Sequence, residues 1–365
     1  MNILFISKLS GNLWAGPNNS VPAQIQAQSK MDNCFWYNLN HVKRSEWETS
    51  NVICQNLNDY PTGRLRDLPA PFNRPDIAIV EEIYCYPFEK IISDLIKEGI
   101  PYVLVPRSTL TKQAQKNKHL KKMIGNLLWF NHMINKSAAI QYLSEEEKKE
   151  SEEQWKTIAR VIPNGIKTNK EYVRVVSNVK DAINGIYIGR VDIYQKGFDI
   201  LLDALGAVKN ELREHNFHLS VYGPNREDAY KTINELISKY EISDLISLND
   251  AVFSEEKQQL LSRADVFIMS SRFEGLPMGL IEGVSYGLPC VITKGTNLAD
   301  EVIKNNAGWT ADNNAADFAK ALSNMLAQKE TFRMKSQNAI KLSELFSWDT
   351  IALSTHQWLD DLIHK

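Results

Sequence analysis

Cysteine is scarce in this 365-residue chain, and the four present (Cys34, Cys54, Cys85 and Cys290) stand far apart. There is no CxxC pair and no histidine spacing suited to zinc, so the thiols read as buried groups in a reducing compartment. Net charge is nearly absent. The 42 Lys and Arg against 44 Asp and Glu leave −2, which excludes an overall electrostatic drive toward nucleic acid. No run approaches the ~20 apolar residues of a membrane span. The opening Met1–Ile6 is too short and lacks the basic start of a signal peptide, and it reads as a first strand. No GxGxxG fingerprint occurs, which leaves a nicotinamide cofactor unsupported. What remains is an ordinary globular composition, 43% hydrophobic and 24% charged, with a length that suggests two domains. The expected setting is the cytoplasm, with any membrane touched only peripherally, at its inner face.

The most informative stretch is Ser270–Gly287. It follows an apolar run, Ala264–Met269, suited to a buried parallel strand, and turns helical near Pro277, a residue tolerated in a first helical turn. Glu274 precedes the helix and Glu282 lies within it, about 8 Å along the axis from its start at 1.5 Å per residue. Between them lie the amides from Leu276 through Pro277, Met278 and Gly279 to Leu280, a helix N-terminus that favours an anion. Glycines at 275, 279 and 283, where alanine would stabilise a helix by about 1 kcal/mol each, mean that something approaches the backbone closely. The pattern suits an elongated ligand with hydroxyls at both ends and phosphate in the middle, as in a nucleotide sugar. A capping Glu274 and a solvated Glu282 are the plainer alternative.

Along the chain, Asn2–Ser7 reads as a strand followed by a loop from Gly11 to Gly16, with Ser20 as helix N-cap and Pro22 in the first turn. Further strands are read at 35–39, 52–54, 76–80, 101–105, 138–143 and 160–162. Glu81 and Glu82 follow one of these strands at its carboxyl end, and Arg107 and Ser108 follow another, where α/β proteins bind ligands. A helix over 87–98 ends at Gly99, and Ser144–Glu147 fits a capping box. Residues 166–184 are polar and weakly patterned, as in a linker. The second half opens with the strand 185–188, Gly189 and Arg190, then Lys196–Gly197 and a helix over 198–208. Two cations around one strand exit suit the charge of a diphosphate leaving group. A strand at 217–222 again exits through glycine, at Gly223. Alternation of β and α in both halves predicts two parallel doubly wound sheets facing a cleft.

Residues Lys112–Lys136 combine six lysines with Leu120, Met123, Ile124, Leu127, Leu128, Trp129 and Phe130. A cationic, aromatic-bearing amphipathic segment reads as a contact with an anionic membrane surface. An ordinary helix packed on the sheet, with a solvated lysine face, is the alternative.

Gly189-Arg190, Lys196-Gly197, Tyr222-Gly223, Ser271–Glu282 with its Glu-x7-Glu pair and Gly287–Pro289, in this order, resemble the retaining glycosyltransferases of family 4, with the GT-B fold. The resemblance runs over nearly the whole chain. It implies a donor-binding domain at 185–348, an acceptor-side domain at 1–165 plus 349–365, and a C-terminal helix crossing back to the latter. It implies that Glu282 binds the donor ribose, Glu274 the transferred sugar, and Arg190 and Lys196 the diphosphate, helped by amides of Leu276 to Gly279. Backbone around Val252 would border the base, and the Gly16 loop would close over the donor. Uridine is the commonest base in such a site. No cofactor or metal is implied, and no covalent nucleophile. The expected activity is hexosyl or N-acetylhexosaminyl transfer from a nucleotide sugar to a glycan or lipid-linked acceptor in surface polysaccharide synthesis, such as lipopolysaccharide or capsule. Three departures stand out: Arg107 where many members have histidine, Ser270 where many have proline, and Gly283 where many have alanine. A GT-B epimerase and a catalytically silent sugar-nucleotide or membrane-binding subunit are the competing readings.

Overall fold

The structure is a computed structural model. It describes the chain apart from residues 13–15, 50, 82, 117–118, 153–154, 156, 168–169, 177–181, 225–228 and 365. It divides into two units, Met1–Lys167 with Trp348–Lys365, and Thr168–Ser347. Each is built on one parallel sheet, in agreement with the βα alternation.

The first unit holds seven strands: β1 Asn2–Ser7, β2 Asn33–Asn38, β3 Cys54–Asn56, β4 Ile77–Val80, β5 Tyr102–Leu104, β6 Ala139–Tyr142 and β7 Ala159–Val161. Their order is β3-β2-β1-β4-β5-β6-β7. Central strands are apolar because helices cover both faces; Ile3 to Ile6 and Ile77 to Val80 are fully buried. Successive residues of β1 feed two cores. Leu4 and Ile6 pack with Ile91 and Leu95 of the helix Lys90–Glu98, and Ile3 and Phe5 with Ile25 of the helix Pro17–Gln28. The second core also takes Ile351, Trp358 and Leu359 from the C-terminal helix Trp348–Ile363, which belongs to this unit as expected. Their spacing puts them on one helix face.

Two local readings are corrected. The first helix starts at Pro17, not after Ser20, because a proline at the first helical position is preorganised for it and Gly16 takes the N-cap place. Pro22 therefore lies inside the helix and cannot donate to the Asn18 carbonyl. The Trp47 indole donates to that oxygen instead, at 3.0 Å. The basic stretch is helical in its described residues, but a π-helical turn interrupts its α-helical register. It runs as Lys112–Lys116, His119–Gly125, a π-helical turn Asn126–Phe130 and Asn131–Lys136.

The second unit has six strands: β8 Ile183–Ile188, β9 Phe217–Tyr222, β10 Ile246–Asn249, β11 Val266–Met269, β12 Cys290–Thr293 and β13 Gly308–Ala311. They are ordered β10-β9-β8-β11-β12-β13. From β8 the chain first builds outward through β9 and β10, then crosses to β11 on the other side of β8. The crevice of a doubly wound sheet opens at that reversal, beyond the carboxyl ends of β8 and β11. No helix among the described residues is long and apolar enough to cross a membrane.

Candidate active site

The reversal in the second sheet gathers the two segments in which sequence reasoning placed its cations and its first carboxylate. β8 continues through Gly189 to Arg190, and β11 through Ser270 to Glu274. Lys196 Nζ donates to Glu274 Oε1 at 2.5 Å, and the Ser271 hydroxyl donates to the same oxygen at 2.6 Å. The two side chains retain only 10% and 7% exposure, so the pair sits in a low-dielectric pocket. Ser270, the departure from proline, donates its hydroxyl toward the carbonyls of Lys196 and Gly197 and ties the two exits together. Arg190 is exposed, and among the described residues its side chain makes a 3.4 Å bond to Gln195 Oε1. Its backbone is fixed, however: the buried Tyr187 phenol donates to the Arg190 carbonyl at 2.7 Å. Burial and the nearby Glu274 charge push that phenol's pKa well up, so it remains a donor.

The helix Met278–Ser285 begins at this crevice, and no side chain caps it. The Met278 amide donates to Leu276 and that of Ile281 to Pro277. Among the described hydrogen bonds the amides of Gly279 and Leu280 have no partner, which leaves the N-terminus open to an anion. Gly279 and Gly283 are accounted for by packing within the protein, as is Gly223. A side chain at Gly279 would collide with the Ile188 carbonyl, one at Gly223 with the Gly189 carbonyl, and one at Gly283 with the Phe267 ring. These contacts press the helix start and the β9 exit against the end of β8. Glu282, one turn into the helix, receives two bonds from Lys257 Nζ, at 2.8 and 2.9 Å. Val252 is buried in the loop between β10 and the helix Ser254–Arg263, which carries Lys257.

In the first unit, the Arg107 side chain is not a cation waiting at the surface. It is 9% exposed, with Nε donating to Glu81 Oε2 at 2.7 Å and the guanidinium reaching Ser20, Asn164 and Gln24. Arg107 and Ser108 both adopt positive φ, 48° and 67°, an unfavourable conformation for two successive non-glycine residues. The buried Glu147 supports that turn by accepting from the Ser108 amide and, at 2.8 Å, from the Leu143 amide. The Ser144 hydroxyl does cap its helix, accepting from the Glu147 amide at 3.1 Å, but the carboxylate leaves the expected box to make these two bonds. Burial raises the Glu147 pKa, with the amide bonds and Arg107 opposing. Gly16 is exposed, has open space where a side chain would stand, and needs no positive φ. Glu82 lies outside the described residues.

The family described as glycosyl transferases group 1 matches residues 183–328, the segment that carries the Lys196–Glu274 pair and the open helix N-terminus. An uncharacterized glycosyltransferase of Methanocaldococcus jannaschii is 24% identical over 92% of this chain and 87% of its own length. The chain is a glycosyltransferase. The amylovoran biosynthesis glycosyltransferase AmsD of Erwinia amylovora is 30% identical over 40% of this chain and 39% of its own. Other curated relatives are likewise matched over 32–42% of their lengths. HepE of Anabaena, solved in complex with UDP and glucose, shares 15% identity and superposes with a TM-score of 0.61, covering 99% of this chain and 100% of that one. The glycosyltransferase thus has the GT-B fold, two Rossmann-like units, and relatives in polysaccharide biosynthesis.

Two residues of the glycosyltransferase carry the site's geometry, and a third braces the Arg107–Ser108 turn of the first unit, without having been singled out from the sequence. Lys257 sits on a mostly polar helix that the apolar pattern does not mark. Arg272 makes a two-bond pair with Asp199, at 2.7 and 2.6 Å, and lies over the Tyr194 ring. It thereby fastens the loop from Arg190 to Lys196 onto the β11 exit. Glu147 was visible only as half of a capping box.

Proposed function

We propose that the chain is a retaining family 4 glycosyltransferase that moves a sugar from a UDP-sugar to a glycan or lipid-linked acceptor in surface polysaccharide synthesis. The observation that carries this reading is the meeting of the buried Lys196–Glu274 pair with the uncapped start of the helix Met278–Ser285 at the reversal of the second sheet. A diphosphate placed on the helix N-terminus meets free amides and Lys196, whose ammonium is held in place before reaction. Such preorganised charge stabilises a leaving diphosphate without reorganisation. Glu274 offers carboxylate oxygens to sugar hydroxyls, and Glu282, held by Lys257, offers its own to ribose hydroxyls. The amides of Gly279 and Leu280 and the exposed Arg190 complete the anion site.

In this reading the leaving phosphate takes the acceptor's proton on the face where the new bond forms, so no enzyme nucleophile is needed. The uridine assignment rests on the family's habits and on HepE, a relative in fold bound to UDP. Polysaccharide synthesis as the setting is supported by relatives such as AmsD, named for amylovoran biosynthesis.

The test is incubation with UDP-, GDP- and ADP-sugars, following free nucleotide and the donor sugar together. Slow hydrolysis of a UDP-sugar that falls at least ~100-fold in Lys196→Ala is the expected result, the size seen when a preorganised charge contact is removed. Conversion of the donor sugar would identify an epimerase instead, and binding without turnover a silent subunit. Undiminished hydrolysis in Lys196→Ala would overturn the diphosphate assignment.

A further inference from the structure

The segment 112–130 is largely turned inside out for a helix packed on a sheet, whereas Met133 and Ile134 just beyond it are buried in the apolar core. Its inward side chains are polar: Asn126 donates to Gln115 Oε1 at 3.1 Å, and Gln115 donates to the Tyr84 hydroxyl and the Thr109 carbonyl at 2.7 Å. Phe130 is the apolar exception, buried edge-on against Tyr84. Met123, Ile124, Leu127 and Leu128 face outward, Leu127 at 78% exposure. Asn126 and Phe130, four positions apart around the π-helical turn, share the inward face and leave the two leucines between them outside. Phe88, also exposed, extends this apolar surface through an edge-to-face contact with Trp129.

A contiguous exposed apolar patch marks a partner. Charge identifies which kind. Between Gly99 and Ser144 the sequence has no aspartate or glutamate but six lysines: Lys112, Lys116, Lys118, Lys121, Lys122 and Lys136. Lys112 and Lys136 are exposed, in a chain whose net charge is only −2. Apolar side chains projecting from a lysine-rich, acid-free segment complement a surface that is anionic outside and apolar just beneath.

We propose that Met123, Ile124, Leu127, Leu128 and Phe88 form a docking surface that inserts into the headgroup region of an anionic lipid bilayer, with the exposed Lys112 and Lys136 facing the lipid phosphates. The surface lies in the first unit, whereas Lys196, Glu274 and Glu282 lie in the second. Vesicle binding and nucleotide-sugar turnover are therefore read independently.

The test is flotation of the full chain with phosphatidylglycerol-containing vesicles and with pure phosphatidylcholine vesicles, at low and high salt. Co-flotation with the anionic vesicles, weakened by salt, is expected. It should fall ~10-fold or more in Leu127→Glu/Leu128→Glu and persist in Leu353→Glu, which changes an exposed leucine elsewhere in the same unit. Sedimentation of the same proteins examines the rival occupant, a second copy of the chain. Failure to float with anionic vesicles, equal flotation of the double variant, or a wild-type dimer that the double variant dissociates would each overturn the proposal.

Discussion

Glu282 and Glu274 stand eight positions apart, and each is held by a lysine from a distant part of the chain, 25 and 78 residues away. The two pairs differ in surroundings. Lys196–Glu274 is nearly sealed from water, while Lys257 and Glu282 keep about a quarter of their side-chain surface exposed. An exposed pair contributes little to folding, on the order of 0–1 kcal/mol, so the value of Lys257 lies in fixing the Glu282 carboxylate. Lys257→Met is therefore expected to leave unfolding nearly unchanged and to weaken UDP binding ~10-fold, the equivalent of about 1.4 kcal/mol. Glu282→Ala should weaken it at least as much. Because the two residues act as one contact, the double variant should be no weaker than Glu282→Ala alone. Calorimetric titration of the four proteins checks this. Additive losses would mean that Lys257 touches the nucleotide on its own account.

At the scale of the element, the candidate site depends on how the loop from Arg190 to Lys196 is attached to the β11 exit. Beside the Ser270 contacts, Arg272 makes the attachment, pairing with Asp199 in the helix that follows the loop and donating its amide to the Gln195 carbonyl at 2.9 Å. Burial works against ionisation of Asp199, but the Arg272 hydrogen bonds and charge outweigh it and hold the carboxyl below its ordinary 3.8. A depressed carboxylate contributes stability above its unfolded pKa and loses it as pH falls through the folded one. The stability difference between wild type and Arg272→Leu should therefore be level from about pH 7 to pH 5 and narrow below about pH 4. Urea midpoints across that range measure it. A gap constant down to about pH 2 would assign the loss to the Arg272–Tyr194 stacking rather than to the ion pair.

The sequence was readable at this scale where burial is two-sided or spacing is strict. Apolar runs such as Ile77–Val80 announce parallel strands, and the Glu274–Glu282 spacing announces a carboxylate pair flanking a helix start. It was not readable where one residue's effect is felt across the fold. The polar helix Ser254–Arg263 buries only Leu261, so no hydrophobic period marks it or its Lys257. The π-helical turn is a shift of hydrogen-bond partners with no composition of its own. Arg107 read as a cation facing the ligand cleft because Glu81, which pairs with it, is 26 residues away on another strand exit.

At the scale of the whole molecule, the chain leaves its first unit at residue 167 and returns to it at Trp348, so that unit is completed by the last residues of the sequence. The returning helix contributes Ile351, Trp358 and Leu359 to the core on the Ile3–Phe5 side of the sheet, and His356 meets the buried carboxylate of Asp32 at 2.9 Å. Burial of three such side chains is worth about 1.5–3 kcal/mol each, against a total of about 5–15 kcal/mol for a domain. A chain ending at Ser347 should therefore lose the ordered first unit while the second, whose sheet and core lie wholly within Thr168–Ser347, keeps its own. Limited proteolysis with mass spectrometry reads the outcome directly. In the truncated protein, cleavage should spread through residues 1–167, and a protected fragment should begin close to residue 168. UDP should slow digestion of that fragment, because the proposed nucleotide contacts at Lys196 and Glu282, and Lys257 that holds the latter, all lie inside it. Equal protection of both units after truncation would mean that the C-terminal helix is an ornament on a first unit already complete without it.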